Sequence, residues 1–91
     1  MPRCEVRYVG HVQGVGFRAT VRSEANGRPL TGIVRNRQDG SVELVVEGGR
    51  AAIEQMLEQV TERMEGRIRH ETRRWSDETG EFADFRIAPT L

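Results

Sequence analysis

Apolar and polar residues alternate along the first stretch of the chain. In CEVRYVGHV (residues 4–12) the alternation runs from Cys4 to Tyr8, which is the period of a strand with one buried face. Glycines then interrupt the pattern between residues 10 and 16. The sequence therefore predicts a first strand that ends at a glycine-rich loop.

Two later stretches carry apolar residues at helical spacing instead. The first begins at Phe17 and stops at the Asn-Gly pair of residues 26–27, a pair typical of helix ends. The second covers residues 50–65 and is followed by Gly66, where a helix C-terminus favours glycine. Each predicted helix has one apolar side. These sides consist of Phe17, Val21 and Ala25 in the first helix and Ile53, Met56, Leu57, Val60 and Met64 in the second.

Four further stretches read as strands. LTGIVRNR (30–37) and SVELVVEG (41–48) flank QDG (38–40), whose Asp-Gly pair predicts a tight hairpin. RIRHETRRW (67–75) and FADFRIA (82–88) are the last two predicted strands, with a turn between them.

The predicted order is strand, helix, strand, strand, helix, strand, with a short extra strand near the C-terminus. One mostly antiparallel sheet with both helices on one face buries every apolar stripe. That arrangement is the ferredoxin-like α+β sandwich, βαββαβ plus a short C-terminal strand. Because 91 residues suffice for one hydrophobic core and not for two, residues 1–91 are expected to form a single domain.

Charge and cysteine content narrow the classes of function. Fourteen basic and fourteen acidic residues cancel, so no overall field attracts nucleic acid or an anionic membrane. Cys4 is the only cysteine, and no apolar run has the length of a membrane span or a signal peptide. We therefore expect a cytoplasmic protein that binds neither nucleic acid nor a membrane. No feature requires a second subunit, so a monomer is expected.

The glycine-rich loop GHVQGVGFR (10–18) is the main candidate for chemistry. Its GVGFRA portion matches a dinucleotide-binding fingerprint, and Asp39 lies where a ribose-binding acid would stand. A Rossmann unit needs further parallel crossovers, however, whereas here a hairpin turns straight back. No Gly-Lys-Ser/Thr follows to complete a Walker motif. What remains is a cradle of backbone N–H groups at a helix N-terminus, which suits a phosphate-sized anion.

Arg18 stands at an unusual place for a cation. It falls in the first turn of the predicted helix, where the helix dipole disfavours positive charge by about 0.3–1 kcal/mol. A guanidinium folded over the cradle would bind two phosphoryl oxygens and offset that penalty. The alternative is a solvated surface arginine, and the residues alone favour neither.

Asn36 ends one face of a predicted strand. Alternation places it with Gly32 and Val34, a face that is otherwise small and apolar. Taken alone, Asn36 fits the start of a hairpin better than a catalytic role, because asparagine is common in turns.

Two motifs together resemble the acylphosphatase family. GHVQGVGFR (10–18) follows the family pattern Gly-x-Val-Gln-Gly-Val-x-Phe-Arg, and TGIVRNRQDGSVELVVEG (31–48) contains Gly-(aromatic)-Val-x-Asn from Gly32 to Asn36. Ile33 stands where the family usually has an aromatic residue. The resemblance implies hydrolysis of acyl phosphates to a carboxylate and inorganic phosphate, with no metal and no cofactor.

The resemblance also implies roles for individual residues. Arg18 binds the phosphoryl group, and Asn36 holds the attacking water. The loop amides cradle the phosphate, from Gln13, Gly14, Val15, Gly16, Phe17 and Arg18. These roles suit the chemistry, because a carboxylate whose conjugate acid has a pKa of about 4 leaves without a strong general acid. Positioning and electrostatics then carry the reaction.

Two other functions stay open. One is an anion-binding module without turnover, like the acylphosphatase-like domain at the N-terminus of hydrogenase maturation proteins. The other is a ferredoxin-like module for protein or RNA, which needs aromatic residues on the exposed sheet face. RIRHETRR (67–74) is expected to be a solvated strand face. His11 and His70 have no Cys or carboxylate at ligand spacing, so no metal site is predicted.

Overall fold

A five-stranded sheet and two helices make up the computed structural model, which describes residues 1–91. This succession confirms the predicted βαββαβ order with a short fifth strand. The elements are β1 (Pro2–Gly10), α1 (Phe17–Asn26), β2 (Leu30–Asn36), β3 (Val42–Gly48), α2 (Arg50–Arg63), β4 (Ile68–Asp77) and β5 (Phe85–Ile87).

The sheet has the order β4-β1-β3-β2-β5. All neighbouring strands are antiparallel except β2 and β5, which are parallel. Since β1 and β2 both run antiparallel to β3 between them, their C-terminal ends lie at the same edge of the sheet. This topology brings the glycine-rich loop and Asn36 to one side of the molecule.

Both helices pack on one face of the sheet. Val42, Leu44 and Val46 of β3 are buried beneath them, and so are the apolar stripes of the two helices. α2 ends at Arg63, two residues before its predicted end, and Met64 is its C-cap and remains buried. Neither helix has the length and apolar character that crossing a bilayer demands.

Glycine is required where β2 meets β3. Gly32 has a φ of +150°, and a Cβ atom placed there would lie 1.9 Å from the carbonyl oxygen of Val45. Any side chain would therefore push the two strands apart. Gly32 and Val34 are buried on the same face, as the alternation in this strand predicts.

The last strand is shorter than predicted. The sequence predicts an extended strand over residues 82–88, but only Phe85–Ile87 pair with β2. The backbone N–H groups of Thr79 and Gly80 bind the Glu47 carboxylate, so the chain is held near β3 before it turns. It reaches β2 at Asp84, whose carbonyl accepts the Gly32 N–H at 2.9 Å.

Candidate active site

The ends of β1 and β2 flank one residue of β3. Val42 pairs with Tyr8 on one side and with Asn36 on the other. With neighbouring strands about 4.8 Å apart, the two ends are separated by roughly two strand spacings. The loop that follows β1 and the side chain of Asn36 therefore begin from the same edge of the sheet.

Residues 11–16 form the loop between β1 and α1, and its first part is anchored. The His11 N–H donates to the carbonyl oxygen of Arg67 at 2.9 Å, and the Val12 side chain is buried in the core. Gly14 and Gly16 then adopt left-handed φ values of +74° and +78°, with no atom within 4 Å of the position of a Cβ. The loop thus leaves the core at Val12 and turns through glycines that have open space around them.

Backbone donors accumulate where this loop enters α1. The N-cap is Gly16, which offers no side-chain cap, and the first turn contains no acidic residue. The first helical hydrogen bond runs from Thr20 N–H to the Gly16 carbonyl at 3.0 Å. As a result, the N–H groups from Gln13 to Ala19 donate no hydrogen bond within the protein. Such a run of donors at the positive end of a helix favours an anion.

Arg18 is half-buried beside these donors. It takes part in none of the ion pairs that hold other arginines, such as those of Arg3, Arg35 and Arg74. A cavity of about 200 Å³ lies against it, lined by Val12, Gly14, Gly16, Phe17, Arg18, Ala19 and Ile87. The guanidinium therefore adds an unneutralised charge to the edge of this cavity.

Asn36 presents an unpaired acceptor. Its side-chain oxygen Oδ1 is buried and accepts no hydrogen bond from the protein. A buried polar atom left without a partner costs about 1–3 kcal/mol, and native structures usually supply one from solvent or ligand. Asn36 Oδ1 is therefore suited to accept a hydrogen from a water molecule or a ligand.

Gln13 has a contact that the sequence did not indicate. Its side-chain nitrogen Nε2 donates to the carbonyl oxygens of Arg37 at 2.8 Å and Ser41 at 2.9 Å. The glycine-rich loop is thereby joined to the β2–β3 hairpin immediately after Asn36. The resemblance implies a role only for the backbone amide of Gln13. The partners of its side chain lie 24 and 28 residues away, so no local sequence pattern indicates them.

The open face of the sheet, which is the face that the helices do not cover, carries several ion pairs. Glu5 binds Arg74 at 2.9 Å, and Glu43 binds Arg35 at 2.7 Å. A second hollow on this face is lined mainly by such charged side chains. Its arginines have carboxylate neighbours, unlike Arg18, and Tyr8 lies buried on the opposite, helix-covered face. The loop is therefore the better candidate site.

The remaining reactive side chains stand apart from the loop site. His11 and His70 are exposed, and no three His, Cys, Asp or Glu side chains come together in a group that could hold a metal ion. Burial raises the pKa of the Cys4 thiol to about 11, so this cysteine is an unreactive thiol of the core.

Comparisons with known proteins agree with the geometry. The Acylphosphatase family model matches residues 4–87. An acylphosphatase of Paenarthrobacter aurescens (strain TC1) is 45% identical over 86 residues, which are 93% of this chain and 92% of the relative. The crystal structure of acylphosphatase from Bacillus subtilis matches with a TM-score of 0.89 and 34% identity, over 97% of this chain and 99% of that one.

A larger protein contains the same fold. Full-length HypF, crystallised in a phosphate- and nucleotide-bound form, matches with a TM-score of 0.85 and 30% identity. The match covers 99% of this chain but only 12% of HypF. The family model and the relatives of similar length decide the assignment. The chain therefore belongs to the acylphosphatase family and is an enzyme that hydrolyses acyl phosphates.

Proposed function

We propose that the glycine-rich loop, Arg18 and Asn36 form the active site for this hydrolysis. Arg18 binds the phosphoryl group together with the loop amides from Gln13 to Arg18, and Asn36 positions the attacking water. The observation that carries the proposal is the run of N–H groups from Gln13 to Ala19 that donate no hydrogen bond within the protein. The phosphoryl oxygens of an acyl phosphate would accept hydrogen bonds from these donors.

Charge stabilisation is the main task of the loop and Arg18. In phosphoryl transfer the negative charge is spread over the equatorial oxygens of the transferred group. Preorganised N–H groups and a guanidinium fork stabilise that charge without reorganising during the reaction. Because these groups supply the positive counterpart, the proposed mechanism is independent of a metal ion.

Asn36 acts on the nucleophile. Its buried Oδ1 accepts one hydrogen of a water molecule, which orients a lone pair of that water towards phosphorus. Being neutral, the amide does not repel the anionic substrate as a carboxylate would. The carboxylate leaves unprotonated, and we infer that the proton lost by the water passes to a phosphoryl oxygen.

Steady-state hydrolysis of benzoyl phosphate in the presence of EDTA tests this proposal. Arg18→Ala and Asn36→Ala are each expected to lower kcat/KM by about 10²–10³-fold, the usual loss for one preorganised group. Arg22→Ala is the matched control, because Arg22 is exposed one helical turn later on α1. It should leave the rate unchanged.

Three results would contradict the proposal. Full activity in Arg18→Ala and Asn36→Ala would remove both residues from the site. Turnover no faster than buffer, with phosphate binding lost in Arg18→Ala, would instead indicate an anion-binding module. Because the assay contains EDTA, an enzyme that needs a metal ion would show no turnover until metal is added in excess. That result would contradict the metal-independent mechanism.

We further propose that residues 1–91 act as one domain and as a cytoplasmic monomer. One hydrophobic cluster includes residues from both helices and from β1, β2, β3 and β5, and Ile68 and Trp75 of β4 pack against it, which supports a single domain. The large apolar side chains that are exposed are those of Met1 and Leu91, so the rest of the surface offers little apolar area to a second copy. Light scattering at assay concentration should give the mass of one chain.

A further inference from the structure

Gln13 makes contacts that a backbone role in phosphate binding does not require. Its Nε2 donates to two carbonyl oxygens of the β2–β3 hairpin, those of Arg37 at 2.8 Å and Ser41 at 2.9 Å. We propose that Gln13 is a positioning residue whose side chain sets the separation between the phosphate-binding loop and Asn36. This inference rests on the proposed functions of Arg18 and Asn36.

The two hydrogen bonds connect the parts that must act together. Gln13 directly precedes Gly14, where the loop turns out of the core, and Arg37 directly follows Asn36. Both acceptors are carbonyl oxygens, so the amide must present its nitrogen and uses both of its hydrogens. One half-buried side chain therefore links the loop to the strand end that carries Asn36.

Neither partner depends on Gln13 to keep its own structure. The Arg37 carbonyl also accepts from Gly40 N–H at 3.1 Å, and the Ser41 carbonyl also accepts from Arg37 N–H at 2.9 Å. Each carbonyl has two lone pairs, so the hairpin turn stays closed without the glutamine. The loop keeps its anchors at His11 and Val12. Removing the side chain thus leaves the loop and the hairpin folded but no longer restrains the distance between them.

That distance matters for an in-line attack on phosphorus. Reacting atoms must approach to about 3–3.5 Å, and a misplacement of about 1 Å can cost about 10²-fold in rate. Gly14 and Gly16 provide no restraint of their own, because nothing lies within 4 Å of a Cβ at either position. The Gln13 bonds are the direct link between this part of the loop and the hairpin.

Gln13→Met tests the proposal, since methionine has similar length but no donor. In the full chain with benzoyl phosphate we expect kcat to fall about 10–100-fold. The inhibition constant for inorganic phosphate should change by less than about threefold, because the loop amides and Arg18 are retained. Ser41→Ala is the matched control. It removes the 2.6 Å bond from Ser41 Oγ to Asp39 in the same turn but keeps the carbonyl that Gln13 binds, so kcat should stay unchanged.

Gln13→Glu gives a second readout that a packing role would not move. At neutral pH its carboxylate faces two carbonyl oxygens and repels them, but once protonated its O–H donates one hydrogen bond. The ratio of its kcat to that of the wild type should therefore rise at least about threefold between pH 7 and about pH 4.5, near the ordinary pKa of a glutamate. The same ratio for Gln13→Met should stay flat.

Three results would overturn the inference. The first is a Gln13→Met enzyme that keeps its kcat while its unfolding temperature falls. The second is a parallel loss of kcat and phosphate affinity, which would mean that Gln13 shapes the phosphate-binding loop itself. The third is a Gln13→Glu ratio that does not respond to pH. A failure of the proposed function is recognised separately, from full activity in Arg18→Ala and Asn36→Ala.

Discussion

The two ends of the β1–β3 strand pair use arginine in opposite ways. At the end where β1 begins, Arg3 Nη1 lies 2.7 Å from a carboxylate oxygen of Glu47 and 2.7 Å from one of Glu81. At the end where β1 leads into the glycine-rich loop, Arg18 has no carboxylate partner. The same side chain is neutralised within the fold at one end and left available for an anion at the other.

The backbone N–H groups also differ between the two ends, since they bind a carboxylate at one end and have no partner at the other. Glu47 is only 3% exposed and accepts hydrogen bonds from the backbone N–H groups of Thr79 at 3.0 Å and Gly80 at 3.1 Å. Burial raises the pKa of this carboxyl, but the hydrogen bonds from Thr79, Arg3 and Gly80 outweigh burial and lower it to about 2. The N–H groups of the loop have no such carboxylate. One end therefore stabilises the fold, whereas the other has unpaired donors, which bind substrate in the function we propose.

Exchanging arginine for lysine at the two ends should separate these roles, with the largest effect at the loop. Arg18→Lys keeps the charge but loses the planar fork, so kcat/KM should fall by about 10²-fold. The unfolding temperature should not change, because Arg18 makes no ion pair. Arg3→Lys should do the reverse and lower stability without changing kcat. Steady-state kinetics and calorimetry on both variants decide the matter, and a fully active Arg18→Lys enzyme would contradict the prediction.

Glu47→Gln should show the next largest effect, on stability alone. The amide cannot match the charge-assisted bonds from Arg3 and the two N–H groups, so the free energy of unfolding should fall by about 2 kcal/mol. For a domain of this size that corresponds to about 10 °C in Tm. Glu78→Gln is the control, since its pair with the N-terminal amine is exposed and should contribute less than about 0.5 kcal/mol. Reduced activity in Glu47→Gln at full stability would break the comparison.

The acid dependence of stability should trace to the same carboxylate. Its pKa is about 2 in the folded protein and rises to its ordinary value of 4.5 on unfolding, so the unfolded state binds the proton more tightly. The stabilisation is complete above pH 4.5 and is lost as the pH falls towards 2. Urea unfolding of the wild type and Glu47→Gln should therefore give stabilities that converge across this window. A constant difference down to pH 2 would refute this assignment.

Tyr8→Phe should have the smallest effect. The Tyr8 hydroxyl is buried without a hydrogen-bond partner in the protein, so its removal costs no protein hydrogen bond. The ring contact with Phe17, at 4.8 Å between centroids, is kept. We expect the free energy of unfolding to be unchanged or to rise by up to about 1 kcal/mol. A fall in the free energy of unfolding, measured by denaturant titration, would indicate that the hydroxyl binds an internal water.

The elements that local periodicity determines could be predicted, and the contacts that cross the chain could not. The apolar spacing and the Asn-Gly stop gave α1 at its observed bounds, and the Asp-Gly pair gave the hairpin between β2 and β3. Glu47, by contrast, alternates onto the open face, where a charged residue reads as solvated. It is buried where Thr79 and Gly80 bind it through their N–H groups, an interaction that spans more than 30 residues.

In the candidate site, too, the residues in local motifs could be predicted and the long-range contact could not. Arg18, Asn36 and the loop amides lie in two short motifs, so the amino-acid sequence by itself is enough to propose them as site residues. The side chain of Gln13 stands in the first motif, but its acceptors are carbonyl groups, which every residue possesses. No sequence pattern can mark such a partner, and only the fold reveals the contact.

The central position of β1 governs when the enzyme can assemble. β1 precedes both of its neighbours in the chain, β3 and β4, which end at Gly48 and Asp77. During synthesis at about 5–20 residues per second, the first strand must wait several seconds before both partners have been made. Chains dominated by such distant pairings also fold slowly, on a scale of milliseconds to seconds. The loop that follows β1 therefore gains its geometry only after β4 has been made.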